Sequence, residues 1–208
     1  MIGQFFTIGL LMLLAVALPG PDFALVTKNT IIHSRRAGLF TTAGIVSATL
    51  IHITYCVLGL AIVISQSILL FSIIKYIGAT YLVYLGINLL LTKHTNVPTL
   101  TQKVSQKTRM SNFIAFRQGI LCNLLNPKAT LFFLALFTAI IKPETPLAWE
   151  LAYAVEMVAI VTTWFCTLTV FLSHPRILRG LNSVEKYISK VMGAFLVGFG
   201  VALAFVKR

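Results

Sequence analysis

Two short stretches carry the side chains best placed to do chemistry. Gly20-Pro21-Asp22 opens "GPDFAL" (20–25), and Asn126-Pro127-Lys128 opens "NPKATL" (126–131). Aligned, the two match cap for cap, proline for proline and charge for charge, with Leu25 on Leu131. Asn is a favoured helix N-cap, and proline suits the first helical position, where its missing N–H would be unpaired anyway. Each triplet therefore predicts a helix start with an ionisable group in its first turn, an anion at Asp22 and a cation at Lys128. Two further ionisable residues stand deep in apolar sequence. His52 shares a helical face with Gly44 and Ala48 at i, i+4, i+8 spacing, and reads either as a substrate or proton contact or as a core imidazole bonded to a backbone carbonyl. Glu156 reads either as a proton-coupling or gating carboxylate or as the structural partner of Lys128. Asp22 and His52 are the other proton-coupling candidates.

These residues need an apolar setting to be costly and therefore informative. The chain has 208 residues, 58% hydrophobic and 11% charged, against about 25% charged in soluble domains. Apolar runs of about 20 residues read as transmembrane helices. Six occur, at roughly 3–26, 38–64, 68–92, 113–141, 147–172 and 187–206. The expected fold is an all-α polytopic membrane protein, one membrane domain over 1–208. It divides into a repeat over about 1–92, a polar cytoplasmic loop over about 93–112 and a second repeat over about 113–208.

Proline placement supports two repeats. Pro98, Pro143, Pro146 and Pro175 fall in connections, but Pro19, Pro21 and Pro127 lie in apolar segments. The segment between Arg117 and Lys142 is one bilayer crossing long, and neither piece would span if it were cut at Pro127. Asn126-Pro127 thus predicts a new helix starting inside the membrane, where freed backbone groups survive only facing protein or a watery cavity. For the first segment the competing reading is a short helix ending at Pro19, followed by a loop from Gly20. The two motifs fall in the first span of each three-span half. An odd span count makes the halves inverted, and broken helices at matching positions of inverted repeats point to a transport site.

The net charge of +12 is distributed by side. The first, third and fifth connections hold 12 of the 17 basic residues (Lys28, Arg35 and Arg36; Lys93 to Arg117; Arg176 to Lys190). Lys75, Lys142, Lys207 and Arg208 are assigned to the other side, and Lys128 to a span. Basic residues stay cytoplasmic, which predicts both termini outside and makes the charge an orientation signal, not a nucleic-acid surface. Ala15-Val16-Ala17 resembles a signal-peptidase site, but no Lys or Arg precedes Lys28, so an uncleaved helix is expected. Cys56, Cys122 and Cys166 are far apart and without a C-x-x-C. They read as small buried hydrophobes, which excludes a thiol-redox carrier. Neither a cofactor nor a resident metal is expected. The glycines of 193–200 and Gly78-Ala79 read as packing faces, and Tyr81, Tyr84 and Asn88 as pathway lining or interhelical bonding.

The whole pattern resembles the LysE/RhtB family of bacterial amino-acid exporters. The resemblance is carried by "LPGPDFALV", "RRAGLFTTAGIVSATLIH", "KYIGATYLVYLGINLLL", "FRQGILCNLLNPKATLFF" and, more weakly, "SKVMGAFLVGFGVALA". Ala48 departs from a common second-span glycine, and "LFTAII" from a proline-containing end of the fourth span. The resemblance implies export of a small hydrophilic amino acid or derivative across the inner membrane, driven by proton exchange. The residues suit an amino-acid zwitterion. Lys128 and the helix start after Pro127 would take a carboxylate and Asp22 an ammonium, with Gly20, Pro21, Asn126, Pro127 and His52 completing the expected substrate set. No phosphate-binding loop is present, so ATP drive is not expected. Expected partners are the amino acid, the proton and the bilayer; a monomer and a homodimer both fit. The alternative is efflux of a divalent metal or another inorganic ion, for which Asp22, Glu156 and His52 are a thin ligand set.

Overall fold

The computed structural model describes residues 1–18, 20–66, 68–91, 110–141, 145–172 and most of 190–205. Seven α-helices are named here in chain order. They are α1 (Ile2–Ala17), α2 (Pro21–Lys28), α3 (Arg35–Gln66), α4 (Ile68–Leu91), α5 (Asn112–Leu124), α6 (Pro127–Ile140) and α7 (Leu147–Phe171). A C-terminal helix follows over 196–204, and no strand occurs among the described residues. The fold is all-helical.

α3 and α7 are each long and apolar enough to cross a membrane. α1 with α2, and α5 with α6, do so only as pairs, each bent by 57° at its break. The described residues thus hold two candidate spans, or four with the bent pairs. The expected third and sixth spans coincide with α4 and the C-terminal helix, several of whose side chains lie outside the described residues. Pro19, the third connection (92–109) and most of the fifth (173–189) lie outside them as well.

Both breaks follow from backbone chemistry. A proline at position i leaves the carbonyl of i−4 without its intrahelical donor. Gly20 is the N-cap of α2 with Pro21 at the first position and Asp22 in the first turn. Asn126 caps α6 through its side chain, which accepts from the Lys128 N–H at 3.0 Å, again with proline first. The competing expectation of a loop from Gly20 is therefore overturned. The first connection keeps its basic residues Lys28, Arg35 and Arg36 exposed, but it is helical and partly buried. α2 runs to Lys28 and continues as a π-helical turn, Asn29–His33, because its polar residues have protein partners. Asn29 is buried and donates to Thr41 Oγ1 at 2.9 Å and Gln118 Oε1 at 3.0 Å, and Thr30 donates to the Val26 carbonyl. Lys75 is also relocated: it lies inside α4, buried, with its ammonium 4.5 Å from the Tyr76 ring centroid.

Large apolar side chains such as Phe6, Leu58, Leu69, Phe113 and Leu125 point outward, as expected where the surrounding solvent is hydrocarbon. Inside, glycines let helices touch backbone to backbone. A Cβ on Gly44 of α3 would overlap the Phe116 carbonyl oxygen of α5, and one on Gly119 would overlap the Thr41 carbonyl oxygen of α3. Gly78 meets Ala135 of α6, while Gly86 and Gly200 mediate the contact of α4 with the C-terminal helix. The expected packing roles of Gly44, Gly78 and Gly200 are met. Backbone cannot yield as a side-chain tip can, so Gly44→Ala is expected to destabilise by about 1–3 kcal/mol. The monodisperse fraction in detergent should fall several-fold. Gly9→Ala, which meets only side-chain ends, those of Glu156 and Ile160, should leave it nearly unchanged.

Candidate substrate site at the two helix breaks

The two breaks are latched to each other. Residue 19 is proline, so the Ala15 carbonyl at the end of α1 lacks its i+4 donor. Lys128 supplies one instead, its Nζ donating to Ala15 O at 3.1 Å and Leu18 O at 3.4 Å. Lys128 sits in the first turn of α6, where its own helix disfavours a cation. The carbonyl end of α1 carries the negative pole of that helix and offsets the penalty. In the other direction, Asp22 Oδ2 accepts from Asn123 Nδ2 at 2.9 Å and from Asn126 Nδ2 at 3.1 Å. Each break thus satisfies polar groups at the other through bonds spanning about a hundred residues of sequence.

The latch leaves acceptors over. Asp22 Oδ1 and Asn123 Oδ1 are buried without a hydrogen-bond partner. Asp22, Asn123, Asn126, Lys128 and Gly20 all line one cavity of about 50 Å³, room for a few water molecules. Pro21 and Pro127 are not among its lining residues; they act through the backbone, by starting α2 and α6. The rest of the lining among the described residues is apolar apart from Thr49. An isolated buried acceptor costs about 1–3 kcal/mol, so a cavity with a carboxylate oxygen and an amide oxygen both unpaired is chemically prepared for a donor.

His52 and Glu156 are not part of this cluster. His52 is buried on α3 and stacks on Phe133, with centroids 5.2 Å apart and planes within 8°. It stands behind a cavity wall and is not among the lining residues. Its Nε2 lies 3.3 Å from the Asn123 carbonyl oxygen, to which it donates. Its Nδ1 then accepts from the Tyr55 hydroxyl. The Asn123 carbonyl loses its i+4 donor to Pro127 and accepts instead from the Asn126 N–H at 3.1 Å, so His52 adds a second donor at the second break. This is the carbonyl-bonded imidazole that was the alternative to a substrate contact. Glu156 packs against Gly9 of α1, with Oε2 buried and unpartnered, on a separate groove lined by Phe5, Val155 and Ile160. It makes no ion pair with Lys128, whose Nζ is committed to carbonyls. Tyr84 and Asn88 face outward, and Cys56, Cys122 and Cys166 are free. Among the described residues no group of three His, Cys, Asp or Glu is placed to hold a metal ion.

Sequence reasoning missed Asn123 and Asn29. The only signal for Asn123 was a second asparagine three residues before the capping Asn126, which puts both amides on one side of the break.

An all-helical chain with apolar outer faces and charged groups gathered where two bent helix pairs meet defines an integral membrane protein with a polar interior. Its family is the LysE type translocators, to which the chain belongs: the family model matches residues 13–206. It is a translocator and not an enzyme. Relatives of full length are similar throughout. A Bacillus subtilis membrane protein, YrhP, is 30% identical over 89% of this chain and 91% of its own. The threonine efflux protein of Salmonella typhi is 27% identical over 98% of both chains. The leucine efflux protein of Salmonella choleraesuis is 29% identical over 92% of this chain and 90% of its own. No solved structure matches the chain.

Proposed function

We propose that this translocator exports amino acids or small amino-acid derivatives across the bacterial inner membrane, as a secondary transporter driven by proton entry. In this reading six membrane helices form two inverted three-helix repeats with both termini outside, and the substrate site is the cavity between the breaks. The observation that carries it is the pairing of unpaired buried acceptors, Asp22 Oδ1 and Asn123 Oδ1, with the Lys128 ammonium in one cavity. An amino-acid zwitterion complements that set. Its ammonium donates to Asp22 and Asn123, and its carboxylate accepts from Lys128 at the positive end of α6.

Binding has a mechanical consequence. Lys128 now holds the end of α1 through Ala15 and Leu18. A substrate carboxylate competes for the same ammonium, so occupancy loosens α1 from α6 at the cavity wall. The cavity is too small for an amino acid in this closed form, which makes that loosening part of entry. Candidate proton carriers are Asp22 in the site and Glu156 against α1, with His52 supporting the second break. The names of the efflux relatives favour amino acids over the metal-ion alternative.

The test is efflux from cells loaded with each proteinogenic amino acid or homoserine, with and without the protein and with and without a protonophore. Faster loss of one or a few amino acids, abolished by protonophore, is the expected result. No difference for any of them, with the protein present in the membrane, would remove the amino-acid reading. A difference insensitive to protonophore would remove only the proton coupling.

A further inference from the structure

We infer that the substrate's side chain is uncharged and apolar, of the size of leucine, isoleucine or methionine, and that the cavity selects against threonine, homoserine and lysine. The inference rests on the amino-acid reading above and narrows it.

The cavity lining divides by chemistry. Apart from Thr49 of α3 its polar groups lie at the two breaks, with Asp22 and Asn123 matched to the ammonium and Lys128 to the carboxylate. The Asn126 amide is spent twice, Nδ2 on Asp22 and Oδ1 on the Lys128 N–H. What remains for a side chain is a wall of Met12, Ile45, Phe132, Phe133, Val161 and Phe165, contributed by α1, α3, α6 and α7 and all buried. Among the described residues no second carboxylate and no second cation lines the cavity, and Thr49 is the only hydroxyl. A charged side chain would enter without a counter-ion, and a hydroxyl would find at most one partner. The wall is also held in place. Phe133 stacks on the His52 ring and meets the Phe132 ring edge-on, with those two centroids 5.9 Å apart. His52 is thereby a positioning residue for selectivity, without touching substrate.

Apolar pockets discriminate by roughly ten-fold or more per mismatched group. Cells carrying the wild-type protein, loaded separately with leucine, isoleucine, methionine, threonine, homoserine or lysine, are expected to lose the first three at least about ten-fold faster than the last three. In Val161→Thr, near-isosteric and adding one hydroxyl to the wall, the leucine-to-threonine rate ratio should fall several-fold. Threonine, homoserine or lysine leaving as fast as leucine from wild-type cells would overturn this inference and leave the amino-acid reading standing. An unchanged ratio in Val161→Thr, with leucine still exported, would place selectivity outside this wall and overturn it too. Loss of none of the six, with the protein in the membrane, would overturn this inference, and the broader reading falls with it only if the full panel of proteinogenic amino acids also shows no loss.

Discussion

Lys128→Gln is expected to reduce amino-acid export about 100-fold while leaving the amount of protein in the membrane close to wild type. The separation of the two effects comes from geometry. A glutamine amide at 128 still has N–H groups to offer the Ala15 and Leu18 carbonyls that Lys128 now serves, so the end of α1 keeps a donor. What is lost is the positive charge facing the substrate carboxylate in a desolvated site. Removing one partner of a buried ion pair costs about 3–5 kcal/mol, and about 1.4 kcal/mol is tenfold, so a hundred-fold loss is the conservative figure. Efflux rate measured beside membrane abundance reads both. Export unchanged in Lys128→Gln would remove Lys128 from the site.

Asp22→Asn is the second large effect, and it separates bracing from binding. An asparagine oxygen at 22 still accepts from the Asn123 and Asn126 amides, as Asp22 Oδ2 does now. The fold should therefore hold, apart from about 0.3–1 kcal/mol of lost interaction with the α2 helix start. The second oxygen, buried and unpaired in the wild type, becomes an amide nitrogen that repels the substrate ammonium. Export should fall by about as much as in Lys128→Gln, since either change leaves one end of a buried zwitterion uncompensated. Asp22→Ala should differ, because it releases both asparagine amides and should lower membrane abundance as well. A loss in Asp22→Asn of less than about three-fold, with Lys128→Gln inactive, would reduce Asp22 to a brace and assign the ammonium elsewhere.

Much of this arrangement is legible in the sequence because it is local. A proline dictates where an intrahelical bond is missing, Asn126 caps within two residues of itself, and the i, i+4 spacing of Gly44 and Ala48 fixes a shared face. Local chemistry also tells that a charge beside each break must be answered. It does not tell by what. Glu156 is the nearest deep acid in composition terms, yet Lys128 is answered by the carbonyls of α1, which every residue possesses and no pattern marks. His52 shows the same limit. Its face is readable from spacing, but its bond to the Asn123 carbonyl crosses 71 residues. Asn123 and Asn29 escaped notice because an asparagine gains meaning only from its partner. The π-helical turn over Asn29–His33 reads as a connection since Lys28, Arg35 and Arg36 flank it, while the partners that bury it, Thr41 and Gln118, belong to other helices.

The central claim is that the two breaks form one site that recognises both charged ends of an amino acid. Equilibrium binding to the purified protein tests it most directly, comparing leucine with isoamylamine, which lacks the carboxylate, and isocaproate, which lacks the ammonium. Leucine is expected to bind, and each half-molecule to bind at least about 100-fold more weakly. Lys128→Gln should erase the difference between leucine and the amine. Leucine binding no better than either half-molecule would contradict the claim.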